Sequence, residues 1–158
     1  MSTEARLREL RIELPPVPPA VGNYVGAVAV GDILFVSGHG PFQDGRPQFI
    51  GKLGREFGIE EGQQAARLVA LNMLATIRET LGNLDRVKRV VKLLCLVNSM
   101  PEFGDQPKVA NGASDLLVEL FGEGNGKHAR SAIGMGALPF GIAVEIEGIF
   151  ELRGEPRR

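Results

Sequence analysis

The chain has 158 residues, 44% of them hydrophobic, with 18 Lys+Arg against 19 Asp+Glu and a formal net charge of −1. That length suits one domain with a core large enough to fold without metals or cross-links. The balanced charge excludes an overall basic field of the kind that attracts a nucleic-acid backbone.

The single cysteine, Cys95, cannot form an intrachain disulfide, and within the apolar run "VVKLLCLV" it reads as a small buried hydrophobe rather than a reactive thiol. The start "MSTEARLREL" carries acidic residues and no apolar segment, and no run approaches the twenty apolar residues of a membrane helix. These features predict a soluble, cytoplasmic protein. The expected organisation is an N-terminal extension over residues 1–22, a single domain over 23–152 and a polar tail, "RGEPRR", over 153–158 that frays.

The extension begins with a charged segment of helical character and continues as "LPPVPPAVG", whose prolines favour an extended strap on a surface. "YVGAVAV" and "ILFVSG" follow as β-rich runs, separated by Gly31-Asp32 at hairpin spacing. A piece near "PQFIG" is expected to add a short third strand. From about Glu60 to Leu81, Ala66, Val69, Ala70, Met73, Leu74, Ile77 and Leu81 recur at three and four residues, and Gly82-Asn83 stops the helix. "VKRVVKLLCLVNS" reads as a largely buried strand. A second amphipathic helix runs from Pro107 to Phe121, with Gly122 as its stop. Two strands, "RSAIGMGAL" and "IAVEIEGIF", close the domain around a turn at Pro139 to Gly141.

The order β-β-(β)-α-β-α-β-β is an α+β pattern, a sheet with two helices on one face. The other face is left uncovered within one chain. Phe35, Ile33, Val91, Leu93, Val144 and Ile146 predict that it is partly apolar and meets a partner, most simply another copy of the chain.

Standard catalytic motifs are absent from the sequence. His39 and His128 stand 89 positions apart with no Cys, Asp or Glu at ligand spacing, so no metal site is predicted. Ser37 in "VSGHG" lacks the strand-turn-helix setting of a nucleophile elbow. What remains is a set of polar residues at the edges of buried strands: Tyr24, Ser37, His39, Asn98, Asn111, Arg130 and Glu145. For Arg130 two readings stand, a salt bridge with Glu147 or Glu151 and the capture of an anion through two parallel hydrogen bonds. Glu145 and Glu147 share one face of their strand, which fits an edge or polar cleft better than a core.

"YVGAVAVGDILFVSG", "FGEGNGKHARSAIG" and "LPFGIAVEIEGI", taken together, resemble the RidA (YjgF-type) reactive-intermediate deaminase family over about Val21 to Leu152. The stretch "VNSMPEFGDQPKVANGASDLL" is similar to a divergent branch of it, often labelled endoribonuclease-like (L-PSP). The resemblance implies a chorismate-mutase-like fold, homotrimers with clefts between subunits, and hydrolysis of 2-imino or enamino acids to 2-oxo acids and ammonia without metal or organic cofactor. Arg130 then matches the residue that binds the substrate carboxylate, and Glu145 the acid that positions water. Tyr24, Ser37, Gly38, His39, Asn111, Ser131 and Ala132 match other cleft positions. Ala132 stands where relatives commonly carry cysteine, and His39 where they carry glutamine. Three functions are therefore weighed: an imine deaminase, a non-catalytic trimer that binds 2-oxo acids or other small carboxylates, and an RNA-cleaving protein. The balanced charge and single tyrosine disfavour the last.

A hairpin of the last two strands would set Glu145 opposite Gly134 and Arg130 opposite Ile149, about 13 Å apart along the sheet at some 3.3 Å per residue. That separation predicts a site shared between subunits.

Overall fold

The structure, a computed structural model, describes residues 1–154. The expected fraying of the tail therefore falls, from Glu155 onward, outside the described residues.

The extension opens with helix α1 (Thr3–Glu9), whose first turn is capped by Ser2 Oγ accepting from the Ala5 amide at 3.1 Å. Strands β1 (Ala27–Val30) and β2 (Ile33–His39) form the expected hairpin, with Gly31 in the left-handed region at φ 58°. A two-residue-per-strand hairpin follows, β3 (Phe42–Gln43) and β4 (Arg46–Pro47), and it stands apart from the main sheet. Of the short strand expected near "PQFIG", only Pro47 is paired within a strand, β4, and the segment adds no strand to the main sheet. Ile50 makes only an isolated bridge to Ile142, because Phe49 at φ 51° and Gly51 at φ 147° break the extended conformation on either side.

Helix α2 (Ile59–Leu81) matches the apolar spacing that predicted it, and Glu61 reaches back to the Gly58 amide at its start. Its end is Gly82 at φ 88°, which accounts for the stop. Strand β5 (Val87–Asn98) comes next, then helix α3 (Gln106–Gly126) with Pro107 in its first turn. Gly122, at φ 81° and ψ 167°, leaves the helical conformation where the stop was expected, and a further short helical segment follows to Gly126. Strands β6 (Ala129–Met135) and β7 (Val144–Leu152) complete the chain.

The main sheet has the order β1-β2-β7-β5-β6, with β5 and β6 parallel and the other pairs antiparallel. The last two strands are therefore not a hairpin. Gly134 faces Val97, and Ile149 faces Lys92, because β5 lies between β6 and β7. The Pro139–Gly141 turn instead carries the chain across the end of β5, where Asn98 binds the crossing: its amide donates to Ala143 O, and its side chain accepts from Lys52 Nζ at 2.6 Å. Asn98 is thus part of this crossing.

Helices α2 and α3 cover one face of the sheet and enclose the core. They touch so closely that a Cβ on Gly112 would lie 2.0 Å from Gln63 O. Leu93, Val144 and Ile146 are fully buried in this core, so their assignment to the open face is corrected. A bulge between Val90 and Lys92 shifts the phase of alternation in β5, and Val91 sits in it. The open face carries Ile33, Phe35, Leu94, Leu96, Ile133 and Ile149 among Ser131, Glu145 and Glu147, with Phe35 47% exposed and Ile133 45% exposed. Among the described residues, no helix is long and apolar enough to cross a membrane.

Candidate functional site

Apart from Asn98, the polar residues picked out by the sequence assemble into two groups. The first lies between β6 and α3. Arg130 pairs with Leu93 in the sheet, shares its helix-facing side, and sends its guanidinium to α3. There Nη1 donates to Asn111 Oδ1 at 2.8 Å and to Ser114 Oγ at 3.0 Å, and Nη2 donates to Pro107 O at 3.2 Å. Neither expected salt bridge forms; Glu151 pairs with Lys88 Nζ at 2.7 Å. Three donors being used, the edge made by Nε–H and the remaining Nη2–H keeps no partner among the described residues. That edge has the fork geometry that matches a carboxylate.

His128 extends the group. Its Nδ1 lies 2.7 Å from Gly126 O, which makes Nδ1 the protonated nitrogen, and its Nε2 then accepts from Ser114 Oγ at 2.9 Å. Ser114 thus links His128 to Arg130. Burial lowers the His128 pKa against the opposing pull of the Gly126 carbonyl, and the Arg130 charge adds to the lowering. Ser114 was not singled out from the sequence, although it stands three residues after Asn111 and so shares its helix face. Cys95 neighbours Ala132 across the β5–β6 pair; burial pushes its thiol up to about 11, against a smaller opposing effect of Arg130, as an inert core residue requires.

The second group lies at the junction of β2 and β7. Glu145 alternates with buried Val144 and Ile146, so its side chain leaves the sheet on the open face. It packs over Gly38, where a Cβ would lie 2.9 Å from Glu145 Oε2; the missing side chain makes room for the carboxylate. Burial raises the Glu145 pKa, and the neighbouring Glu147 charge raises it further. Ser37 Oγ donates to Val25 O at 2.6 Å and fixes the approach to β1. His39 is buried, with Nδ1 2.5 Å from Ser37 O and Nε2 2.8 Å from Thr76 Oγ1. Both ring nitrogens are therefore occupied, and burial lowers the pKa against the Ser37 bond, so His39 is a neutral tie between β2 and α2.

Tyr24, Gly38, His39 and Glu145 line one cleft of about 970 Å³, together with Phe42, Phe140 and residues 17–21 of the extension. Thr76 and Phe140, which the sequence did not bring forward, belong to it through the fold alone. Among the described residues lining it, none is Lys or Arg, while Glu79 and Glu145 are both acidic.

Arg130, Asn111 and Ala132 are not in this cleft. Arg130 stands in register with Gly148 of β7 through Leu93, and Glu145 lies three residues further along. At roughly 3.3 Å per residue and 4.8 Å per strand spacing, their backbones are about 14 Å apart. Their side chains leave opposite faces of the sheet. Ser131 pairs with Leu94 and faces the open side, away from Arg130, whereas Ala132 packs against the core.

Residues 4–146 match the family described as "YjgF/chorismate_mutase-like, putative endoribonuclease". The chain is 49% identical to Protein TCP17 of Trypanosoma cruzi over 148 residues, covering 94% of this chain and 92% of that one. It is 30% identical to the RutC family protein y4sK of Sinorhizobium fredii over 135 residues, covering 85% and 91% respectively. A Shewanella oneidensis crystal structure, described as "a putative endoribonuclease", superposes with a TM-score of 0.91 at 34% identity over 96% of this chain and 100% of that one. On these grounds the chain belongs to the YjgF/RidA-like family.

Proposed function

We propose that the protein hydrolyses 2-imino acids to 2-oxo acids and ammonia, at sites where Arg130 of one copy meets Glu145 of another in a homotrimer. The observation that carries this reading is the complementarity of the two groups. The cleft around Glu145 is acidic and offers a carboxylate ligand no cation, while Arg130, on the far side of the sheet, has an unused guanidinium edge. The partly apolar open face, with Phe35 and Ile133 half-exposed, gives the copies a surface on which to associate.

In this site the substrate carboxylate lies on the Nε and Nη2 edge of Arg130. Glu145 takes a proton from a water molecule, and the water oxygen bonds to the imine carbon. The proton passes to the imine nitrogen, giving a carbinolamine. Glu145 then moves the hydroxyl proton to the amino group, the C–N bond breaks, ammonia leaves and the C=O bond forms. A carboxyl whose pKa is raised by burial and by Glu147 is a stronger base than an ordinary carboxylate, which suits both halves of this exchange.

Relatives carry the description "putative endoribonuclease", but the near-balanced charge of the chain, 18 Lys+Arg against 19 Asp+Glu, gives no overall basic field for a phosphodiester backbone. A carboxylate-binding trimer without turnover would use the same arginine.

The test couples an amino-acid oxidase, as a source of 2-imino acid, to semicarbazide as the trap. With the protein present, semicarbazone formation from the imine should slow, and Arg130→Ala should abolish the effect. An unchanged rate with folded, assembled protein would contradict turnover.

A further inference from the structure

The cleft is much larger than the smallest imino acids require, and the extension forms one of its walls. Residues 17–21 line it together with Phe42 and Phe140. Their course is fixed at both ends. Upstream, Leu7 is 2% exposed, and the Glu4 carboxylate accepts from the Leu84 amide at 2.9 Å and from Arg78 Nε and Nη2 at 3.2 Å each. Downstream, Ser37 binds Val25 O and Gly26 O. Pro15, Pro16, Pro18 and Pro19 stiffen the span between. Such a strap loses little freedom when a ligand packs against it.

Two apolar side chains of the lining are exposed, Val21 at 70% and Phe140 at 59%. Phe140 holds φ 60° and ψ 7°, a left-handed conformation costly for an aromatic residue, and its ring meets Phe42 edge-to-face at 6.1 Å. Glu145 lies beside Gly38. Polar groups, Glu145 and Glu79 among them, thus share the lining with an apolar set, from the strap, Phe42 and Phe140, that suits a hydrocarbon body.

We infer that the strap of residues 17–21, with Phe42 and Phe140, makes this cleft a pocket for a bulky apolar side chain, so that the acids taken are branched-chain or aromatic rather than alanine-sized. The inference rests on the proposed reaction for its choice of imino and 2-oxo acids.

Its test reads binding and turnover separately. Binding of 4-methyl-2-oxopentanoate and of pyruvate is measured by calorimetry on the full chain, and turnover is compared for imines generated from leucine and alanine. The branched probe should bind at least about tenfold more tightly, since a fitted methylene alone is worth roughly that much in a hydrophobic pocket. Val21→Asp and, in the opposite sense of volume, Val21→Trp should each cut this ratio to within about twofold, with folding followed by circular dichroism. The inference is overturned by equal or tighter binding of pyruvate, by a ratio unmoved in both variants, or by no binding of either probe because a neighbouring copy fills the cleft. Size-selective binding without imine turnover would overturn the proposed reaction and leave the pocket assignment standing. Turnover without size selection would do the reverse.

Discussion

Arg130 and Glu145 occupy the two strands that flank β5, on opposite faces of the sheet. The pairing of Arg130 with Leu93, and of Leu93 with Gly148, fixes the offset between them. No rotamer change brings a guanidinium bound to α3 to a carboxylate on the other side of a five-stranded sheet. A ligand small enough to fit one cleft therefore touches both only if two copies of the chain supply them.

Replacing Arg130 separates its observed hold on α3 from its proposed grip on a carboxylate. Arg130→Ala should keep the fold, at a cost of about 1–2 kcal/mol for the lost bonds to Asn111, Ser114 and Pro107. Binding of a 2-oxo acid should weaken by about 2–5 kcal/mol, the range for truncating one partner of a buried charge pair. Arg130→Lys should not restore it, because an ammonium cannot bond to α3 and present a planar fork together. Urea denaturation and calorimetry read the two quantities, and a variant that fails to fold would make the arginine structural.

Glu145 predicts a pH dependence of stability. Its folded pKa is raised, so the native state holds this proton more tightly than the unfolded chain does. The contribution is complete below the ordinary value of 4.5 and is lost as pH rises through the folded value. Glu145→Gln removes the cost of the half-buried charge and should make the protein more stable than wild type at pH 7, while the difference should vanish near pH 4. Thermal melts at the two pH values measure it; equal melting at pH 7 would contradict the half-buried carboxylate.

The tie between β2 and α2 depends on Thr76. In Thr76→Val the Nε2 of His39 loses its donor while remaining buried, which should cost about 1–3 kcal/mol in urea denaturation. In the wild type, the lowered pKa of His39 and of His128 means that the unfolded chain binds protons more readily. Stability should therefore fall as pH drops below the ordinary histidine value of 6.5.

Local chemistry was the part of this protein most legible in its sequence. The α2 stripe and its end at Gly82 follow from side-chain spacing and from the need for positive φ, both visible in a short window. Strand order is not local. The segment Pro139–Gly141 looks like a hairpin turn, but the longest apolar strand, β5, takes the place between β6 and β7 and sends that turn across its end. Arg130 and Glu145 were readable from their resemblance to a family, whereas the hold of Ser114 and His128 on the arginine had only a three-residue spacing to announce it. Thr76 and Phe140 carry no signal of their own; long-range packing brings them to the cleft.

The sharing of the site is tested most directly by mixing. Arg130→Ala and Glu145→Ala chains, each inactive alone, are exchanged in equal amounts, and exchange is verified by native mass spectrometry. In a ring of copies with head-to-tail contacts, about one interface in four then joins an intact Arg130 to an intact Glu145. Imine turnover should return to about a quarter of the wild-type value. Verified exchange with no recovery of turnover would contradict a site built from two subunits.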